Sequence, residues 1–241
     1  MAIHWAKTVD KKGDFSSLAG AGIADMADAT AAAHDGAVGL EITFDDADAA
    51  YGILSLPSVD QKSIMAHMWF NRNDAALDAG KLLDICYFRN GDGGVNGQIR
   101  VVNTAGTYTL QVYAVNDAAA YIGIAGIALP ATWTDIRTCI QAASSAAANN
   151  GVLEVYINEV LVASTTNIDN DTKDFDDIIV GKGYTDSVGF GGSYYLDTIG
   201  IVGKIPSDYA IAPARALALS ARQRSASLTA HQRDTNMVVL E

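Results

Sequence analysis

The chain has 241 residues and a mass of 25.3 kDa, and its 16 Lys and Arg against 28 Asp and Glu give a formal net charge of −12. Alanine takes 40 positions, yet 59 Leu, Ile, Val and Phe residues remain, about a quarter of the chain and above the disorder regime. The acidic balance excludes a nucleic-acid-binding body, which needs clustered Lys and Arg, and two cysteines exclude a disulfide framework or a thiolate zinc site.

The first ten residues contain no apolar h-region, and no run of about 18 apolar residues occurs that would span a membrane. Neither a secretory signal nor a membrane partner is therefore expected, which leaves a cytoplasmic protein or one exported without a visible leader. Residues 16–35 are rich in Ala, Ser, Gly and Asp, with Leu18, Ile23 and Met26 as the larger aliphatic anchors, and read as loop with one short helical turn. From there strand-length runs recur: Ala37–Phe44, Ala49–Leu56, Ser63–Asn71, Lys81–Arg89, Gly97–Asn103, Thr107–Val115, Trp133–Ala142, Val152–Asn158, Val160–Ser164, Asp177–Gly181 and Ser193–Val202. In Thr107–Val115 the side chains of Tyr108, Leu110, Val112 and Ala114 take one face and those of Thr107, Thr109 and Gln111 the other, the period of a half-buried strand. Turn clusters such as Asn90–Gly94, Asn103–Gly106 and Asn149–Gly151 separate the runs. Short strands without intervening helices predict an all-β protein, an antiparallel sandwich or jelly roll. Cys86 and Cys139 fall within strand runs and are expected to be buried free thiols.

The composition changes at the C-terminus, so the domain boundary is placed between 1–210 and 211–241. The body to residue 210 carries a net charge of −14, while the tail carries Arg215, Arg222, Arg224 and Arg233 against Asp234 and Glu241, a net +2. The tail repeats itself: Leu219-Ser-Ala-Arg-Gln-Arg-Ser225 aligns nine residues later with Leu228-Thr-Ala-His-Gln-Arg-Asp234. A nine-residue step turns a helix by roughly half a revolution and flips a strand face, so an extended, bent arm is expected. Leu219, Arg222, Arg224, Leu228 and Arg233 would dock that arm on an exposed sheet edge by strand addition.

From residue 127 onward the order of features resembles the laminin-G-like, concanavalin-A-like jelly roll. Trp133 opens a strand, Asn158-Glu159 joins a hairpin, Ile178–Gly181 has the Ile-x-Val-Gly form, and Leu196-Asp197-Thr-Ile199 places an Asp inside an apolar closing strand. The earlier Asp35–Phe44 run is similar to the family's Gly-x-x-Gly-Leu strand. The resemblance spans roughly residues 34–203 and implies a β-sandwich with a C-terminal extended arm. It departs at Glu159, where Gly is usual. A two-residue primed turn wants positive φ at both central positions, so a longer or different turn is expected there. The Ala-Arg-Gln-Arg repeats resemble the tails of phage structural proteins.

Glycoside hydrolysis needs two carboxylates across a cleft, and the Glu-x-Asp-x-Glu runs of laminarinase-like enzymes do not occur; Glu is confined to Glu41, Glu154, Glu159 and Glu241. His4, His34, His67 and His231 are scattered, and no Gly-x-Ser-x-Gly elbow occurs. Among ions, Ca²⁺ suits the oxygen-rich loop of Asp169, Asp171 and Asp174, with Asp45, Asp46 and Asp48 as an alternative donor set; laminin-G-like folds often hold Ca²⁺ at a loop rim. Sugar stacking would use Tyr184, Phe190, Tyr194 and Tyr195 around the glycine-rich loop at 189–192, with Asn90, Asp92 and Asn96 from another loop. Tyr194 and Tyr195 are adjacent in a strand, so one is expected inward and one outward.

These observations lead to an expectation of a non-enzymatic structural or adhesion protein of a phage or virion surface. Its expected partners are further copies of itself, other virion proteins and a surface glycan. The alternatives are a lectin-like carbohydrate-binding module and a polysaccharide-active hydrolase or lyase.

Overall fold

The alternating runs pair into two antiparallel sheets in the computed structural model, which describes residues 7–44, 48–56, 60–182 and 190–203. Numbered in chain order, the strands are β1 (Lys7–Val9), β2 (Ser17–Ala19), β3 (Met26–Ala29), β4 (Gly39–Thr43), β5 (Ala50–Ser55), β6 (Ser63–Asn71), β7 (Ala76–Leu77) and β8 (Leu82–Arg89). They continue with β9 (Val95–Thr104), β10 (Thr107–Val115), β11 (Tyr121–Ala128), β12 (Thr134–Gln141), β13 (Gly151–Ile157), β14 (Val160–Ile168), β15 (Asp177–Lys182), β16 (Phe190–Gly191) and β17 (Ser193–Val202). The first sheet has the order β14-β13-β12-β6-β17-β4-β3, with β1 also paired to β17. The second has the order β11-β10-β9-β8-β15-β5-β2, and β16 pairs with β7 in a small ribbon. Neighbours distant in sequence, such as β6 and β17, give the crossed connections of a jelly-roll sandwich. No described helix is long and apolar enough to cross a membrane.

The core lies between the two sheets because each strand sends alternate residues inward. Ile64, Ala66, Met68 and Phe70 of β6 and Ile136 and Ile140 of β12 come from the first sheet; Ile99 and Val101 of β9 and Leu110, Val112 and Ala114 of β10 come from the second, all buried. Each such Val, Leu, Ile or Phe contributes on the order of 1.5–3 kcal/mol relative to exposure. The sheets approach closely at Gly97, where a methyl group would stand 2.4 Å from Ile140 Cδ1 of the opposite sheet.

Three features differ from the expectations above. Tyr121–Ala128 forms an edge strand where no strand run is expected, its Gly123 and Gly126 masking an alternation in which Ile122, Ile124 and Ile127 pack against the core. Residues 16–35 contain β2, β3 and two 3₁₀ turns, Ile23–Asp25 and Thr30–Ala32. That segment is fastened by polar contacts: the fully buried Lys182 Nζ meets Asp25 Oδ2 at 2.6 Å, and Lys12 Nζ donates to the carbonyls of Ile23 and Met26. Finally, the β13–β14 hairpin is a two-residue turn after all, with Ile157 opposite Val160 and φ of 49° at Asn158 and 67° at Glu159. The Glu159 carboxylate accepts from Arg137 Nη2 at 2.9 Å, and Asn158 is bonded to the Asp135 backbone through both its Oδ1 and its N–H. Register and these anchors override the intrinsic reluctance of Glu to take positive φ.

Cys86 and Cys139 are buried free thiols on different sheets, and burial raises both. The proposed arm, with Leu219, Arg222, Arg224, Leu228 and Arg233, lies outside the described residues, as do Asp45 and Asp46.

Candidate functional site

The residues singled out from sequence do not converge on one place. Tyr184 lies outside the described residues, and Phe190 is described by its backbone in β16. Tyr194 faces inward, fully buried against Phe44 and Phe70, so its ring is core and not a sugar platform. Tyr195 faces outward on the first sheet, as the alternation requires. Asn90 and Asp92 belong to the β8–β9 turn, where Asn90 Oδ1 accepts from the Gly94 N–H at 2.6 Å. Asn96 is buried and ties its amide to the Asp174 carbonyl at 2.7 Å, a structural link.

The acidic loop also divides. Asp169 and Asp171 gather with Asp117, whereas Asp174 gathers with Asp60 and Asp176. Asp117 is bonded by the Thr172 hydroxyl and backbone N–H, which hold its carboxyl below the usual range against the opposing effect of desolvation. Desolvation and the carboxylates of Asp117 and Asp169 push Asp171 up. The three-residue Ca²⁺ set read from sequence is therefore two separate acidic groups.

The most organised polar cluster occupies the outer face of the second sheet. Across the strands, Tyr87 (β8), Gln98 (β9), Tyr113 (β10) and Gly123 (β11) form one row, and Asp84, Arg100 and Gln111 form the next. Asp84 is the hub: its Oδ1 accepts from Gln98 Nε2 at 2.5 Å and Arg100 Nε at 2.9 Å, and its Oδ2 from the Tyr87 hydroxyl at 2.8 Å. An ionised carboxylate only accepts, so Asp84 fixes the Gln98 amide with its nitrogen inward; the buried Gln98 Oε1 has no donor among the described residues. Arg100 is held through Nε, and its two terminal nitrogens have no bonded partner among the described residues, on a side chain 22% exposed. The Tyr113 ring lies against Gly123, where a methyl group would stand 2.2 Å from it, and the guanidinium of Arg100 sits 5.2 Å above that ring. Tyr121, 56% exposed, meets Tyr113 edge-on at 5.9 Å. Tyr113 donates its hydroxyl to Gln111 Oε1 at 2.7 Å. Sequence reasoning missed this cluster because alternate polar residues in β8, β9 and β10 read as an ordinary solvated face; the available signal was Gln98-Ile-Arg100, two long polar side chains on one strand face.

A second cluster lies on the outer face of the first sheet. His67 Nε2 and Arg137 both meet Asp135, at 3.1 and 2.7 Å, and Arg137 bridges on to Glu159. Desolvation would raise Asp135, but His67 and Arg137 outweigh it and hold the carboxyl low. Glu154 accepts from the Tyr156 hydroxyl at 2.8 Å, yet burial prevails and pushes it up. The buried Asp197 of β17 takes the backbone N–H groups of His34, Asp35 and Thr198, which pins the His34 loop; the His34 ring stacks on Trp69 at 3.7 Å.

Neither a family model nor a curated protein sequence matches the chain. Among solved structures it is similar to an endo-β-1,4-glucuronan lyase of the fungus Trichoderma reesei, with 13% identity, a TM-score of 0.58, and coverage of 82% of this chain and 95% of that one. It is also similar to the receptor-binding domain of botulinum neurotoxin type G, with 12% identity and a TM-score of 0.55 over 87% of this chain, which spans about half (51%) of that domain. Both likenesses are of fold, a β-sandwich jelly roll. The expectation of a non-enzymatic chain is corrected here, because the fold it shares over nearly the whole of the fungal protein is that of a polysaccharide lyase. No comparison supports a phage or virion role.

Proposed function

We propose that the chain binds an acidic polysaccharide on the outer face of the second sheet and cleaves it by β-elimination. The observation that carries this reading is the Asp84 hub, which holds Arg100 through Nε and presents its two terminal nitrogens, uncommitted among the described residues, beside Tyr87 and Tyr113. A guanidinium fork matches a uronate carboxylate. The glucuronan lyase among its structural neighbours acts on a polymer of that chemistry. Although the chain is acidic, Arg100 and Asp84 balance locally, and Tyr87, Gln98, Gln111 and Tyr113 are uncharged.

In the proposed reaction, pairing with Arg100 disperses the carboxylate's charge and acidifies the C5 proton next to it. The Tyr87 oxygen takes that proton while its own passes to Asp84. The C5–H electrons form the C4=C5 bond, the C4–O4 bond breaks, and the departing oxygen is protonated by water. A second reading, binding without cleavage, draws on the engagement of the Tyr87 hydroxyl with Asp84 and of the Tyr113 hydroxyl with Gln111.

The test is to incubate the protein with glucuronan and alginate and to follow the ultraviolet absorbance of the C4=C5 product. Arg100→Ala is expected to cut turnover by about 100-fold or more, the scale of losing a charge-stabilising donor. Tyr87→Phe should abolish turnover and keep binding. Binding with no absorbance change selects the second reading; absence of both binding and turnover overturns the site.

A further inference from the structure

We propose that the outer face of the first sheet holds a separate subsite for a neutral sugar, at the row Trp133–Asn71–Tyr195–Glu41. Asn71 on β6 lies opposite Tyr195 of β17, which in turn lies opposite Glu41 of β4. Trp133 immediately precedes Thr134, the residue paired with Phe70, so it flanks Asn71 on the other side. The Trp133 and Tyr195 rings have centroids 6.4 Å apart and are inclined by 31°, so two half-buried aromatic faces straddle one amide. The polar groups beside them, Asn71 between the rings and Glu41 beyond Tyr195, are oriented and only partly used. Asn71 Oδ1 accepts from the Asn73 N–H at 2.8 Å, which turns Nδ2 away as a donor with no bonded acceptor among the described residues. Glu41 Oε1 accepts from the Ser193 hydroxyl at 2.9 Å, which leaves its other oxygen as an acceptor.

Two ring faces with one donor and one acceptor beside them suit a hexopyranose, whose C–H face packs on an aromatic ring while its edge hydroxyls both donate and accept. Charge sets the class. Glu41, Asp74 and Asp197 surround the row, while Arg137 is held by Asp135 and Glu159, so a carboxylated sugar would meet repulsion here. This is the opposite preference to that of the Arg100 face on the other sheet. The two sites therefore stand or fall independently.

Calorimetric titration with neutral cello-, manno- and galacto-oligosaccharides, and with glucuronan as the anionic comparison, tests the assignment. The wild type is expected to bind at least one neutral series. Tyr195→Ala and Trp133→Ala should each weaken that binding by about tenfold or more, the loss expected of an aromatic anchor, while Tyr195→Phe keeps it. Asn71→Asp, which preserves shape, should also weaken it, and Arg100→Ala should leave it unchanged. The proposal is overturned if no neutral series binds, or if Tyr195→Ala and Asn71→Asp bind like the wild type. Glucuronan competing for the same residues would likewise overturn it.

Discussion

Gly97 is where the packing of the two sheets can be measured. An alanine there would place its Cβ 2.4 Å from Ile140 Cδ1, 3.0 Å from the Tyr113 carbonyl and 3.1 Å from Phe88 Cδ2. Ordinary carbon–carbon contact is about 3.5–4.0 Å, so Ile140 must give by roughly 1 Å, and the other two neighbours block a sideways escape. Overpacking of this kind costs about 1–3 kcal/mol, so Gly97→Ala should lower the melting temperature by about 2–4 °C per kcal/mol in a domain of this size. Ile140→Val alone should cost about 0.5–1.5 kcal/mol through the lost methyl group. In the Gly97→Ala background the same change removes the clashing Cδ1, so the double variant should be nearly as stable as Ile140→Val. Urea unfolding of all four proteins gives the coupling energy, expected to be at least about 1 kcal/mol in favour of the pair. Additive costs would refute the face-to-face contact of β9 and β12.

Asp197→Ala removes the acceptor of three partly buried backbone N–H groups and should cost about 1–3 kcal/mol, read from thermal unfolding, with the His34 loop opening first by hydrogen exchange. Glu154 has a folded pKa raised above its unfolded value, so its ionisation opposes folding as pH rises through the folded pKa. Glu154→Gln should then raise the melting temperature at pH 7 and make no difference below about pH 4, where the carboxyl is neutral in both states. Asp135 runs the other way: its lowered pKa makes its contribution present above the unfolded value and lost as pH falls through the folded one, so Asp135→Asn should flatten the acid limb of the stability profile. Glu159→Gly should stabilise by about 0.5–1 kcal/mol, since relief of a positive φ outweighs an ion pair whose Glu side chain is 73% exposed.

Strand identity was legible where alternation was uninterrupted, as in β10, because a period of two in side-chain polarity is the direct imprint of a half-buried strand. Tyr194 and Tyr195 show how far that reaches: the alternation required one inside and one outside, but which of them was which waited on the pairing of β17 with β4 and β6. The β11 edge was missed because Gly123 has no side chain to show a face; its role emerges from the Tyr113 ring of the neighbouring strand. The Asn158-Glu159 turn was misjudged because a local φ preference of about 1–2 kcal/mol yields to register and an Arg137 contact supplied from another strand.

By itself, then, the order of residues determined an all-β chain, most of its longer strands and an acidic net charge, all properties of composition and local period. Only the tertiary structure decided that Asp84, Gln98, Arg100 and Tyr113, drawn from three strands, form one polar cluster, while Asp169 and Asp174, five residues apart, belong to different acidic groups. The reason is geometric: neighbours along a strand point to opposite faces, and the groups that act together are those that hydrogen-bonded register lays side by side across strands.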